Sequence, residues 1–194
     1  MSMTFISYSG FPDVHQIKSA SVHAQLDLTE MKKLYFILLF FYLQRISTGR
    51  VVRIVDGDTL VILYHSKNEK VRLIGIDTPE TVHTKKPVQC YGPEASNFMK
   101  KMVSGKKVKI EDSHRDRYGR LLAFVYLMDG RFINKKMIET GHAFAYTKYP
   151  FKFSKKFKEA EKKAKQHKIG LWGVCEDHIK KLPNGDFTMF PQSR

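Results

Sequence analysis

Between residues 50 and 128 short apolar runs alternate with tight polar breaks. "RVVRIV" (50–55) and "TLVILY" (59–64) are rich in β-branched residues and are joined by "DGD", a hairpin signal. "SKNE" (66–69) turns into a third run, "KVRLIGI" (70–76), so residues 50–76 are expected to form a three-stranded meander. Side chains alternate faces along a strand. Val71, Leu73 and Gly75 therefore share one side, and Arg72 shares the other with Ile74 and Ile76. An arginine on an otherwise apolar face needs a reason.

A polar loop over residues 77–89, with Pro79 and Pro87, separates the meander from "YGPEASNFMKKMVSG". There Pro93 suits a first helical turn. Ala95, Phe98, Met99, Met102 and Val103 fall on one helical face, and Gly105 is a natural stop. "KKVKIED" (106–112) and "RLLAFVYLM" (120–128) are expected as strands four and five, followed by a turn at Asp129–Gly130. Asn134 is expected to cap a short helix through Ile138, ended by Gly141. A third helix is expected from near Ser154, with Phe157, Ala160 and Ala164 on one side, lysines on the other, and "IGLWG" closing it. Residues 174–194 show no clear period and read as a tail. Five short strands with a helix between the third and fourth predict an α+β, mainly β architecture. It is a five-stranded Greek-key barrel of the oligonucleotide-binding type with about three helices, over residues 50–173.

Upstream, "MKKLYFILLFFYL" (31–43) places two lysines before ten apolar residues. This is the charged-then-apolar order of a secretory signal, and it is short for a membrane span. Residues 31–49 are therefore read as signal-peptide-like, with the small residues Ser47–Gly49 as the expected processing region. Residues 1–30, polar and aperiodic, read as an unstructured upstream extension, with translation expected to start at Met31. The expected location is secreted, periplasmic or cell-envelope. Retention of the apolar run would leave a membrane anchor instead.

Composition adds a partner class. The 194 residues are 42% hydrophobic, enough for a core, and carry a net charge of +15 with a pI near 9.8. Such a surface seeks polyanions: nucleic acid first, an acidic membrane second. Nine lysines between residues 148 and 168 face two glutamates, Glu159 and Glu161. That run is a solvated helix face that can add non-specific attraction to nucleic acid. Cys90 and Cys175 lie in no CxxC, which argues against a zinc site. They are either two separate buried thiols or a disulfide, which needs an oxidising compartment. With the signal-like run upstream, a Cys90–Cys175 bridge is the expectation.

Phosphodiester hydrolysis needs a base for the attacking water and fixed positive charge for the phosphoryl oxygens. A hard dication held by carboxylates assists. The chain supplies the carboxylates Asp58, Asp77 and Glu80 and the arginines Arg72 and Arg120. In isolation "DGD" is turn chemistry, "DTPE" a turn or cap, and "RDRYGR" a charged hairpin connection. Their order and joint presence carry the signal.

"DGDTLVI", "RLIGIDTPET", "YGPEAS" and "RYGRLLAFVY", in this order, closely resemble the thermonuclease family of secreted, micrococcal-nuclease-like enzymes. The resemblance runs from about Val51 to Trp172. It implies a calcium-dependent endonuclease on an oligonucleotide-binding barrel, cleaving DNA and RNA with little base preference to 3′-phosphate ends, and a monomer. By motif it implies Ca2+ ligation by the carboxylates of Asp58 and Asp77 and the carbonyl of Thr78. Glu80 would be the general base, and Arg72 and Arg120 would stabilise the transition state. Arg117, Tyr118 and Tyr146 would contact the nucleotide, with Arg117 standing where the family often has lysine. The segment after Gly141 is about one residue shorter than the family pattern, so Tyr149 could take the place of Tyr146.

Overall fold

The computed structural model describes residues 28–44, 47–81 and 88–190. The extension up to residue 27, and the loop positions 82–87 with His83 and Pro87, lie outside these. The chain divides into two units, residues 1–43 and 44–194. In the first, helix α1 (Leu28–Gln44) begins three residues inside the stretch read as extension. Lys33 pairs with Glu30, and Leu34, Tyr35, Phe36, Ile37 and Leu38 are exposed. Among the described residues no helix is long and apolar enough to cross a membrane.

In the second unit β1 (Ser47–Asp56), β2 (Thr59–Tyr64) and β3 (Lys67–Leu73) form the expected meander. β5 (Lys107–Arg115) and β6 (Leu121–Leu127) complete a closed barrel in the order β1-β2-β3-β6-β5. β1 starts before the expected boundary at residue 50: Ser47, Thr48 and Gly49 pair with Ile110, Lys109 and Val108. The barrel closes through a parallel pair, β3 with β6 (Val71 opposite Leu121, Arg72 opposite Leu122). Parallel neighbours need a crossover, and the chain between them supplies it with helix α2 (Gly92–Val103) and β5. Ala95, Met99, Met102 and Val103 of α2 are buried in the barrel core with Leu60, Ile62 and Val71.

The third run does not continue to Ile76 as one strand. It ends at Leu73, and β4 (Ile76–Asp77) pairs instead with β7 (Phe144–Ala145). Gly75 makes the break. Its φ is +76°, and a Cβ there would lie 2.5 Å from Phe151. Helix α3 (Ile133–Glu139) is found where expected, but Asn134 is not its cap. Asn134 is fully buried: its Oδ1 accepts the Val125 N–H (2.9 Å), and its Nδ2 donates to the carbonyls of Ile74 (2.9 Å) and Ala123 (3.2 Å). These three bonds satisfy backbone groups where the β3–β6 ladder ends, a stronger demand than a helix terminus open to water.

Helix α4 (Ser154–Gln166) buries Phe157, Ala160 and Ala164 as its spacing predicts. Of the supposed tail, residues 174–190 are structured. After helix α5 (Leu171–Val174), strands β8 (Ile179–Lys181) and β9 (Phe187–Met189) form a hairpin. It contributes Met189 to a second apolar cluster with Phe144, Ala164, Leu171 and Trp172. The Cys90–Cys175 disulfide is present, spanning 85 residues with Cα atoms 6.0 Å apart.

Asn134→Ala takes away the partners of the Val125 N–H and the Ile74 carbonyl, while the Ala123 carbonyl keeps the Ile74 N–H, and is expected to cost about 2 kcal/mol in urea unfolding. Replacing both cysteines by serine is expected to cost roughly 2–4 kcal/mol, with the barrel still folded by circular dichroism.

Candidate active site

The hairpin register brings the first two charged groups together. Thr59 lies opposite Arg72 in the β2–β3 ladder, which sets Asp58 beside the Arg72 side chain. Asp58 Oδ2 lies 3.0 Å from Arg72 Nη2, and the Asp58 carbonyl accepts the Leu73 N–H at 2.9 Å. Asp58 is buried; its Oδ1 accepts the Thr59 hydroxyl (2.8 Å) and its Oδ2 the Thr78 N–H (3.2 Å). The hairpin turn is held close to the corner at Thr78: a Cβ on Gly57 would lie 2.9 Å from the Thr78 hydroxyl.

Arg72 explains its own placement. Its side chain is only 16% exposed, so it does not reach out to water as a surface arginine does. Nη1 donates to the carbonyls of Leu73 (2.7 Å) and Ile76 (2.8 Å), bridging the β3–β4 break. Nη2 lies 3.3 Å from Asp77 Oδ1 as well as near Asp58. One guanidinium thus joins the hairpin turn, the end of β3 and the start of β4.

Asp77 leads into Thr78, Pro79 and Glu80. The Glu80 N–H donates to Gln89 Oε1 (2.7 Å), and its carbonyl accepts the Gln89 N–H (2.9 Å), which pins this corner to the entry of α2. Glu80 Oε1 accepts the Thr81 N–H at 3.1 Å. The Thr81 hydroxyl donates to Asp56 Oδ1 (2.8 Å), which also accepts the Gly57 N–H (2.8 Å). Burial pushes the Asp56 carboxyl up to about 6, helped by the Asp58 charge and a hydrogen bond to Glu80, and opposed by the bonds from Thr81 and Gly57.

The arginines of "RDRYGR" form a cluster with its own scaffold. Asp116 accepts the N–H groups of Tyr118 and Arg120 (both 2.9 Å) and Nε of Arg120 (2.7 Å). These bonds hold the Asp116 carboxyl below its ordinary range although burial alone would raise it. Arg120 precedes β6, so its backbone enters the barrel two residues before the partner of Arg72, but its guanidinium is paired to Asp116. Arg117 donates to the Tyr118 hydroxyl (2.6 Å), and the guanidiniums of Arg117 and Arg120 lie 4.8 and 5.6 Å from the Tyr118 ring. Tyr118 is 68% exposed, available to stack or be displaced.

Tyr146 adjoins the first group. Its N–H donates to the Gly75 carbonyl (2.9 Å), and its ring meets Tyr149 edge-on at 6.2 Å. Burial raises its hydroxyl pKa, followed by the neighbouring Tyr149 and Asp77. The structure therefore gathers Asp58, Arg72, Asp77 and Thr78, with Glu80 and Tyr146 beside them. Arg117, Tyr118 and Arg120 form the separate β5–β6 cluster. Sequence reasoning passed over Asp56 as turn chemistry, and it missed Thr81 and Asp116. The two-residue spacing of Asp56 from Asp58 was the available signal for the first. Burial, which separates it from an ordinary turn residue, was not visible.

Because the folded Asp56 prefers its proton, its stabilising contribution is complete below pH 3.8 and is lost as pH rises through about 6. The full shift corresponds to about 3 kcal/mol, which solvent screening of this half-buried group reduces to on the order of 1 kcal/mol. In metal-free buffer, Asp56→Asn is expected to flatten the fall in unfolding free energy between pH 4 and 7 by that amount, measured by urea titration at each pH.

Residues 70–174 match the family described as Staphylococcal nuclease homologue. The chain is 41% identical over 129 residues to the thermonuclease of Staphylococcus hyicus, covering 65% of this chain and 76% of that one. It is 42% identical over 125 residues to the thermonuclease of Staphylococcus intermedius, covering 63% and 74%. It is 39% identical over 128 residues to an uncharacterized endonuclease of Escherichia coli, covering 66% and 78%. With the matched region running from the second half of β3 through the corner at Asp77 and every element to α5, the chain belongs to the staphylococcal nuclease homologue family and is a nuclease.

Proposed function

We propose that this nuclease is a calcium-dependent endonuclease hydrolysing the phosphodiester bonds of DNA and RNA to 3′-phosphate products. The observation that carries the reading is the Arg72 guanidinium held between Asp58 and Asp77, three residues before Glu80. Water would attack phosphorus and the P–O5′ bond would break, giving a 3′-phosphate and a 5′-hydroxyl. Glu80 takes the proton of the attacking water. Arg72 and Arg120 bind the phosphoryl oxygens and offset the charge that builds on them in the pentacoordinate transition state. Arg117, Tyr118 and Tyr146 contact the nucleotide, with Tyr149 next to Tyr146.

The donor chemistry fits a hard cation. Asp58 and Asp77 both reach the same Arg72 nitrogen, so their oxygens converge. Thr78 beside them carries a buried hydroxyl with no hydrogen-bond partner among the described residues. Among the described residues no three His, Cys, Asp or Glu side chains cluster as a metal cage. Two carboxylates and the Thr78 carbonyl would hold Ca2+, leaving its other positions to water and phosphate, as a flexible oxygen-ligand site allows. When bound, the ion neutralises phosphate charge and orders water.

We also propose that the enzyme acts as a monomer and is exported, with the apolar run of α1 as the export signal. Lys32 and Lys33 ahead of that run support this, as does the Cys90–Cys175 bridge, which suits an oxidising compartment. N-terminal sequencing of the natural product tests the signal reading; a mature chain that begins at residue 1 overturns it, and one that begins at residue 31 leaves a membrane anchor.

Plasmid DNA is expected to be cut in the presence of calcium and left intact with a calcium chelator; cutting in both refutes the metal assignment. Glu80→Ala, Arg72→Ala and Arg120→Ala are each expected to lower the rate on the order of 10²–10³-fold. Wild-type-like cleavage by a folded Glu80→Ala protein refutes the base.

A further inference from the structure

The C-terminal hairpin lies beyond the matched region, which ends at residue 174, yet it reaches the segment that carries Tyr146. At its tip Asp186 is fully buried. Asp186 Oδ2 accepts the Thr147 N–H at 2.9 Å and Asn184 Nδ2 at 3.0 Å. Its Oδ1 accepts the Thr147 hydroxyl at 2.6 Å and lies 2.8 Å from Lys158 Nζ. Lys158, on α4, is also 3.1 Å from Oε2 of the buried Glu161, whose Oε1 accepts the Ala145 N–H at 2.8 Å. Three consecutive backbone N–H groups are thus tied to three different parts of the fold. Ala145 is held by α4, Tyr146 by the Gly75 carbonyl at the β3–β4 break, and Thr147 by the hairpin.

Burying a carboxylate is costly unless it is paired and hydrogen-bonded. The hairpin does not need one to dock. Met189 is already in the second apolar cluster, Phe187 packs against it, and the disulfide ties the chain at Cys175. Outside its own hairpin, the bonds described for Asp186 go to Lys158 and to Thr147, the residue after Tyr146.

We infer that Asp186 is a positioning residue for Tyr146: the C-terminal hairpin fixes the backbone on the far side of Tyr146, so that its ring meets the nucleotide beside Asp77. This rests on the nucleotide contact proposed for Tyr146. The ion pair and hydrogen bonds also hold the Asp186 carboxyl below its ordinary range against the effect of burial, so it stays an acceptor at working pH. Asp186 acts through the backbone and touches no reacting atom, so its loss should weaken substrate binding rather than slow the chemical step.

The test is steady-state cleavage of a single-stranded oligothymidylate with calcium, using the full chain with its disulfide intact. Asp186→Ala is expected to raise KM about 10-fold with kcat within about threefold, the signature of lost binding shared by ground and transition states. Thr147→Val removes one of the two Thr147 bonds and leaves the Lys158 pair, and is expected to raise KM about threefold. In protein labelled with 3-fluorotyrosine, the Tyr146 and Tyr149 fluorine resonances, assigned with Tyr146→Phe and Tyr149→Phe, should move in both variants while that of Tyr64 stays. Unchanged KM and unmoved resonances in folded variants overturn the inference, as does a loss confined to kcat. Should Asp186→Ala fail to fold, Thr147→Val decides. A wild-type chain that cuts no nucleic acid overturns the proposed function alone, because the fluorine resonances still report whether Asp186 places Tyr146.

Discussion

A guanidinium that is largely withdrawn from water must find its partners within the protein, and in this chain that requirement organises the whole corner of the barrel. Arg72 cannot leave the end of β3 without abandoning two carbonyls, and Asp58 and Asp77 cannot approach each other without its charge between them. Removing one member of such a buried set typically costs 3–5 kcal/mol, because the charges left behind stay uncompensated. A cation and two carboxylates are held within bonding distance of one another and partly open to solvent at Asp77.

The second cluster, at the β5–β6 turn, is built on the same logic with a different anchor. Asp116 collects three donors and so aims Arg120, while Arg117 and Tyr118 stay exposed. The parallel β3–β6 pairing fixes where this turn enters the barrel relative to Arg72. That pairing is itself bolted at its end by Asn134. Residues with no chemical role therefore decide where the two arginines stand.

The net charge of +15 works at longer range. It raises the local concentration of a polyanion around the enzyme in a salt-dependent way, but it does not discriminate among phosphates. Short-range geometry is set by the two clusters and the tyrosines near Asp77. There the hairpin after residue 174, beyond the family match, holds the backbone at Thr147.

The barrel strands, α2 and α4 were legible in the sequence, because period-two and helical spacing and turn residues are local or nearly local signals; the disulfide, across 85 residues, was legible only through the compartment that the signal-like run suggested. The meeting of Asp58, Arg72, Asp77 and Thr78 at one end of the barrel was legible as motifs. Other features came only with the tertiary structure: the break at Gly75, Asn134 as a bolt rather than a cap, the raised Asp56 carboxyl and the ordered C-terminal hairpin. Each depends on a contact between segments far apart in the chain: Gly75 with Phe151, Asn134 with Ile74, Asp56 with Thr81, Asp186 with Thr147. Local pattern determines which residue types are present and which face they occupy. Burial and the partner across the gap determine whether a carboxylate is a turn residue, a group of raised pKa or a strut, and only the folded chain supplies those.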